Sequence, residues 1–283
     1  MSQVMRNRIA VYASFVKVEH TVFSLPLIFA GALLHLKHWP SARLMVLMLI
    51  AAGCGRIVAM GLNRLIDADL DARNPRTQRR ELARGAMRRS EAWAVVVGAG
   101  LSYVAAAAAI SPLCLRLSPV PVALFVVYPY LKRVTSLAHL GLGLAWSMGP
   151  LGGWLAAGGT PDRFREVIWL WIFSILWVAG FDVIYATMDE RFDRAAGLHS
   201  LPVQLGRKRA LQLAALLHAC AFLMLAELWR NRLLSRGSLG GILVIGVLFL
   251  IQHLVAEKAP EFAFFHVNAV LGFVVLFAIY TGV

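Results

Sequence analysis

Charge is scarce in this chain, and acidic charge most of all. Only 15% of the 283 residues are charged, against about 25% in soluble domains. Hydrophobic residues make up 59%, and the mean hydropathy is +0.70. That balance excludes an ordinary soluble domain and points to a bundle embedded in a bilayer. Cysteine is equally sparse. Cys54, Cys114 and Cys220 fall in or beside apolar segments without CxxC or finger spacing, so we expect free thiols rather than a metal finger or disulfide framework. No polar linker divides the chain, and residues 1–283 read as one membrane domain. No Walker loop, HExxH or Ser-His-Asp set is present. The first apolar run lacks a small-residue cleavage pattern, so it is expected to be a retained span rather than a removed signal.

The apolar runs are long. A helical span needs about 20 mostly apolar residues. Spans are expected at 18–36, 44–66, 91–110, 113–131, 137–157, 166–187, 209–229, 238–256 and 262–282. The fold class is therefore an all-α polytopic membrane protein, a bundle of about nine transmembrane helices around a cytoplasm-facing cavity. The fourth span is short and carries Pro112, Pro119, Pro121 and Pro129, which a bundle tolerates where neighbours re-satisfy the backbone.

A net charge of +13 could suggest nucleic acid. The basic residues instead crowd the loops between apolar runs, as the positive-inside rule requires, and no nucleic-acid partner is expected. One side collects 18 Lys and Arg, including Arg6, Lys17, the eight arginines from Arg64 to Arg89, and Lys132 with Arg133. The other side has nine, and Arg56 lies inside a span. This bias puts the amino terminus in the cytoplasm. Partners are then a lipid bilayer and, through the loop cations, anionic lipid or a phosphorylated substrate.

Six of the seven aspartates sit in two clusters, each following an apolar run on that basic side. Carboxylates are costly near hydrocarbon, so the clusters are functional candidates. Asn63, Asp67 and Asp71 are spaced i, i+4, i+8; at about 100° per residue they share a helix face, with Arg56 on the same face and Asp69 turned away. Asp182, Asp189 and Asp193 share another face, with Tyr185 close to it. Two such faces at one depth could pinch a ligand. Mg²⁺ keeps few protein ligands and bridges carboxylates to substrate phosphates, so a diphosphate carried on Mg²⁺ is the expected occupant. Arg76, Arg80, Lys132 and Arg133 are placed to neutralise a departing diphosphate. The bland reading, solvated charges balancing arginines, is assigned to Asp69 and Glu190.

At these residues the chain resembles the UbiA superfamily of intramembrane aromatic prenyltransferases. The stretch NRLIDADLDARNPRTQRRELARG (63–85) carries the family's Asn followed by aspartates at +4 and +8. The second signature, D-x-x-Y-x-x-x-D-x-x-x-D, reads Asp182, Tyr185, Asp189, Asp193 and is followed by GLHSLPVQLG (197–206). YPYLKR (128–133) and KVEHTVFSLP (17–26) are also similar. The resemblance implies transfer of a polyprenyl group from an isoprenyl diphosphate to an aromatic acid of the 4-hydroxybenzoate type in quinone synthesis, or to a dihydroxynaphthoate in a menaquinone route. It implies Mg²⁺ held by Asn63, Asp67 and Asp71 on one side and Asp182, Asp189 and Asp193 on the other, one of the latter instead serving the acceptor hydroxyl. Tyr185 would position substrate or carboxylate. Arg80, Lys132 and Arg133 would bind diphosphate, and Arg56 the acceptor carboxylate or, alternatively, an opposed aspartate.

Phe23, Trp146, Trp177, Phe181 and Tyr185 are candidates to face an allylic cation, although aromatics in spans more often pack. Glu19 and His20 are expected to cap or sit at the interface. Glu227, His253, His266 and Asn268 are expected to be helix–helix hydrogen-bond partners or interface residues. Two positions depart from the family pattern: Arg64 stands where many members have Asp, and His199 where many have Lys. The first removes a potential metal ligand. A transporter is the rival from another class, but its site belongs near the midplane, not at helix ends. A CDP-alcohol phosphotransferase would need an Asp-Gly…Ala-Arg pattern absent here.

Overall fold

The computed structural model describes residues 3–16 and 18–283, with side chains described for Arg8, for 10–16 and from Leu25 onward. The side chains of Arg6, Lys17, Glu19, His20 and Phe23 lie outside the described residues. Among the described residues all regular structure is helical. A helix stands at each of the nine expected places. We number them from a preceding short helix, α1 (Gln3–Val16): α2 (Val18–Leu36), α3 (Ala42–Arg73), α4 (Arg89–Ile110), α5 (Pro112–Leu131), α6 (Ala138–Ala156), α7 (Ile168–Ala186), α8 (Glu190–Ala195), α9 (Leu201–Leu205), α10 (Arg207–Leu233), α11 (Arg236–Ala256) and α12 (Pro260–Tyr280). Among the described residues, seven of these are long and apolar enough to cross a membrane. Five glycines and His139 dilute the apolar character of α6, and the apolar part of α2 among the described residues is Leu25–Leu36.

The ends follow local chemistry. Ser41, Ser111 and Ser235 cap α3, α5 and α11, their hydroxyls accepting the amides of Leu44, Cys114 and Ser238 at 3.3, 3.1 and 3.0 Å. Pro112 and Pro119 sit in first turns, where no amide is needed, so the proline-rich span survives with one break at Ser118. The largest departure from the expected limits is α3. Its apolar run ends near residue 66, yet the helix continues to Arg73 and has 32 residues. At about 1.5 Å per residue it is about 48 Å long against about 30 Å of hydrocarbon. Its last two turns, beyond the apolar run, carry Asp67 and Asp71.

Helices α2, α6, α7, α10, α11 and α12 close a ring in which each packs on the next, while α3, α4 and α5 flank it beside α2 and α6. Leu27, Leu33, Phe173, Trp177, Leu225, Ile245 and Val275 fill the ring core. The tightest approach is α2 on α6. A Cβ on Gly31 would lie 2.0 Å from the Pro150 carbonyl oxygen, and one on Gly153 would lie 1.9 Å from that of Ile28. Small residues let the two backbones touch, which is how helices associate where no hydrophobic force acts between them. Leu101, Leu216, Leu250 and Leu254 point outward, apolar and exposed, as lipid contact requires.

Some polar residues tie the core together as expected. Asn268 accepts the Trp177 indole N–H at 2.8 Å, and His253 meets His218 at 2.9 Å across α10 and α11. Glu227 bonds locally, to Arg230 and Asn231, and His266 stacks on Phe262, both near helix ends. The three cysteines are free thiols.

Candidate active site

Both aspartate clusters open on one chamber of about 310 Å³ at the motif end of the bundle. It lies between α3, α5, α6 and α7 and under the loops that follow α3 and α7. Asn63, Asp67 and Asp71 line one wall; Asp182, Tyr185, Asp189 and Asp193 line the other. Asp69 is on the far side of α3, 86% exposed, and pairs with Arg89 at 2.6 Å. Glu190 pairs with Arg194 at 3.0 Å on the surface. Asp69 lies where helical phase put it, and both carboxylates are paired away from the chamber.

Each of three chamber carboxylates is matched to a cation from another segment. Asp67 is 2% exposed; Lys132 Nζ lies 2.6 Å from its Oδ2, Arg133 Nη2 lies 3.5 Å from its Oδ1, and the Asn63 amide donates to it at 3.4 Å. Arg133 also donates to the Ile66 carbonyl at 2.9 Å. Arg80 Nη1 straddles both oxygens of Asp71 at 2.8 Å. Asp189 accepts from Arg76 Nε at 2.8 Å and from Asn74 at 2.9 Å, and Arg76 also bonds the Tyr185 hydroxyl and lies 4.5 Å over its ring.

Burial raises the proton affinity of Asp189, but the Arg76 and Asn74 bonds outweigh it and hold the carboxyl below its usual range. Asp193 goes the other way. Burial first, then the neighbouring Asp189 charge, push it up to about 6. Among the described residues no three His, Cys, Asp or Glu side chains converge as a ready-made metal cage.

The chamber has two levels. Arg56 lies seven residues below Asn63 on α3, and Asp182 lies seven below Asp189, so each sits about 10 Å deeper, two helical turns. Arg56 lies 4.9 Å over the Trp146 ring. Trp146, Phe181 and Trp177 form an edge-to-face chain, with centroids 6.0 Å apart for the first pair and 5.7 Å for the second; Tyr185 meets Phe264 at 4.3 Å. Thus four of the five aromatic candidates line one surface. A second, strongly apolar cavity, also of about 310 Å³, continues from this level between α3, α4, α5 and α6. Arg56, Met60, Tyr128, Leu142 and Trp146 line both.

The two departures have local accounts. Arg64 is buried and bonds Glu81 and the Ser14 carbonyl, and Ser14 donates to Glu81 at 2.5 Å. This position ties α1 and the loop after α3 together rather than supplying a ligand. His199 lines the chamber mouth, and its amide donates to the Lys132 carbonyl at 2.7 Å.

Asn74, Tyr128 and His139 are among the chamber residues that motif spacing did not bring forward as a site. His139 is 4% exposed, and its Nδ1 lies 2.6 Å from Asp182 Oδ2. The available signal was a lone imidazole in a Gly/Leu run shortly after the Lys132–Arg133 pair.

The profile of the UbiA prenyltransferase family matches residues 24–280. A 4-hydroxybenzoate octaprenyltransferase of Shewanella piezotolerans is 30% identical over 244 residues, covering 85% of this chain and 84% of the relative. The apo structure of a UbiA homolog from Aeropyrum pernix K1 superposes with TM-score 0.83 at 33% identity, over 91% of this chain and 96% of that one. A UbiA homolog from Archaeoglobus fulgidus, solved with DMAPP and Mg²⁺, shares the fold at TM-score 0.74 and 21% identity, over 96% and 99%. The matched span takes in both aspartate signatures and the ring of helices that brings them together, and the chain belongs to the UbiA prenyltransferase family as a multi-pass membrane enzyme.

Proposed function

We propose that this protein transfers a polyprenyl group from an isoprenyl diphosphate to an aromatic acid of the 4-hydroxybenzoate type, with Mg²⁺, in quinone synthesis. The observation that carries the reading is the two-level chamber continuous with an apolar cavity. It offers a carboxylate and cation layer for a diphosphate, an arginine and a carboxylate one level deeper for a hydroxy acid, and a greasy channel for the tail. The names of the similar octaprenyltransferases support the same substrate class.

Asn63, Asp67, Asp71, Asp189 and Asp193 suit Mg²⁺: all offer hard oxygen donors, and the raised Asp193 beside Asp189 is a carboxylate pair that a cation would relieve. The absence of a ready cage among the described residues fits an ion that keeps its waters and completes its shell with phosphate oxygens. When bound, Mg²⁺ neutralises charge building on the departing diphosphate. Lys132, Arg133, Arg80 and Arg76 now hold carboxylates, and they exchange part of that role for phosphate oxygens on binding.

Arg56 faces the acceptor carboxylate, and Asp182 takes the proton of its hydroxyl. The ring carbon ortho to that hydroxyl bonds to the allylic carbon as the carbon–oxygen bond to diphosphate breaks. The diphosphate leaves with the electron pair, the displaced ring hydrogen leaves as a proton to the diphosphate or water, and Asp182 returns its proton to the ring oxygen, which restores the hydroxyl and the base. Trp146, Phe181 and Tyr185 turn π faces and edges to the allylic cation and exclude water that would quench it.

The loop charge bias supports a cytoplasmic active site in the inner membrane of a bacterium. A reporter fused at Val283 and active only in the cytoplasm would contradict that orientation. The reaction is tested with purified protein, one long prenyl diphosphate and a panel of aromatic acids including a dihydroxynaphthoate, with and without Mg²⁺, read by mass spectrometry. Prenylated 4-hydroxybenzoate that requires Mg²⁺ is expected. Product from the naphthoate alone would reassign the acceptor, and no product from any acid would refute the transfer reading.

A further inference from the structure

Among the described residues, Asp182 is the motif aspartate held by a histidine rather than by a loop cation. His139 stands at the second position of α6, buried to 4% exposure, with Nδ1 2.6 Å from Asp182 Oδ2. Its other nitrogen is also engaged. The Leu201 amide, at the first residue of α9, donates to His139 Nε2 at 3.3 Å. A backbone N–H can only donate, so Nε2 must be the acceptor and Nδ1 must carry the hydrogen. The imidazole is thereby fixed in one tautomer and donates to Asp182. The segment that fixes it follows directly on the second aspartate motif.

The geometry points to His139 as a positioning residue for acceptor activation: it locks the Asp182 carboxylate through Oδ2 and leaves Oδ1 to receive the hydroxyl proton of the aromatic acid. The arrangement follows the general logic of a base oriented by a third group. It also gives the chamber's lower level a separate support from the upper one. Asp67, Asp71 and Asp189 are steadied by cations that a diphosphate can recruit. Asp182 is steadied by an imidazole that a backbone amide holds in turn, a support that no substrate phosphate would draw away. This inference rests on the transfer reading above, and the test separates the two.

His139→Leu and His139→Gln are compared with wild type in kcat and in KM for each substrate, using 4-hydroxybenzoate and its more acidic 3-fluoro analogue. Binding of an unreactive prenyl thiodiphosphate with Mg²⁺ is measured in parallel. His139→Leu is expected to lower kcat by about 10- to 100-fold, the scale for removing a residue that orients a functional ligand, with thiodiphosphate affinity within about threefold of wild type. Glutamine can donate one amide hydrogen to Asp182 and accept the Leu201 N–H, so His139→Gln is expected to recover most of that loss. The deficit of His139→Leu relative to wild type is expected to shrink with the fluorinated acceptor, whose proton is easier to remove; a merely structural role would not give that pattern. An undiminished kcat in His139→Leu overturns the assignment. So does a loss shared equally by thiodiphosphate binding, or a His139→Leu deficit identical for both acceptors while thiodiphosphate binds normally. If wild type prenylates no aromatic acid, the transfer reading fails and the role of His139 fails with it.

Discussion

The two ends of the bundle hold their carboxylates in opposite ways. At the motif end, Asp67, Asp71 and Asp189 line an open chamber, and their cations arrive from loops and helix ends: Lys132 and Arg133 after α5, Arg76 and Arg80 after α3. At the far end, Glu166 accepts from the Trp154 indole at 3.1 Å, meets His35 Nδ1 at 2.8 Å and lies 3.5 Å from Arg232. Those three partners sit on α6, α2 and the end of α10, so Glu166 staples helix ends together. Burial raises its proton affinity, but the His35 and Trp154 bonds outweigh it and keep it below the usual carboxylate range. The difference is in what can replace a partner. Loop cations beside a chamber can turn to a phosphate, whereas an indole and an imidazole fixed on packed helices cannot. A buried ion pair is therefore no sign of a site by itself; the chamber and the freedom of its partners to turn decide.

The hardest blow to that contrast comes from Asp67→Asn. The carboxylate faces both the expected Mg²⁺-diphosphate and Lys132, so kcat/KM should fall by about 10³-fold, the scale of losing a preorganised electrostatic contact. A steady-state assay checks it, and activity within tenfold of wild type would put Asp67 in the same stapling class as Glu166. Arg56→Met comes next. It removes the proposed charged partner of the acceptor carboxylate, worth about 1.5–3 kcal/mol for such a hydrogen bond, or about 10- to 100-fold in KM for the aromatic acid. The KM for the prenyl diphosphate should stay put. Weakened diphosphate binding alone would move Arg56 to the upper level of the chamber.

How much of this could be read from the sequence differs along the chain. Apolar runs located the spans, because hydrocarbon demands satisfied backbone and so leaves a simple signal. The same signal marked only the apolar part of α3, to residue 66; the shared face of Asn63, Asp67 and Asp71 already needs the helix to continue, and it does so to Arg73, because charged residues end a hydropathy run but not a helix. Helical phase separated Asp69 from Asp67 and Asp71, since a face is a local property. It could not find His139, because the Asp182 contact joins residues 43 positions apart and depends on how α6 lies against α7. Nor could it say what Arg64 does. Its partner Glu81 lies 17 residues on, across a loop whose path is set by α1 and α4 rather than by any period. The pairing of each aspartate with a particular cation was likewise invisible, although the cations themselves were evident.

Two substitutions with small effects on turnover probe the other half of the comparison. Glu166→Gln keeps an acceptor for the Trp154 indole but removes the charge facing His35 and Arg232. The side chain is 17% exposed, so the loss is expected to reach stability at about 1–2 kcal/mol, read as a lower melting temperature in detergent, with kcat and both KM values unchanged. A fall in turnover without a fall in melting temperature would show that the far end communicates with the chamber and would dissolve the contrast. Asp69→Asn is the smallest case. It neighbours two chamber aspartates in sequence, shares their apparent motif and carries the same charge, yet its carboxylate meets Arg89 in solvent on the opposite face of α3. Surface pairs of this kind contribute little, so activity is expected within about twofold of wild type. A large loss from Asp69→Asn would mean that charge density at this end of the helix, not the face a carboxylate occupies, is what the enzyme uses, and the division of the aspartates by helical phase would have to be abandoned.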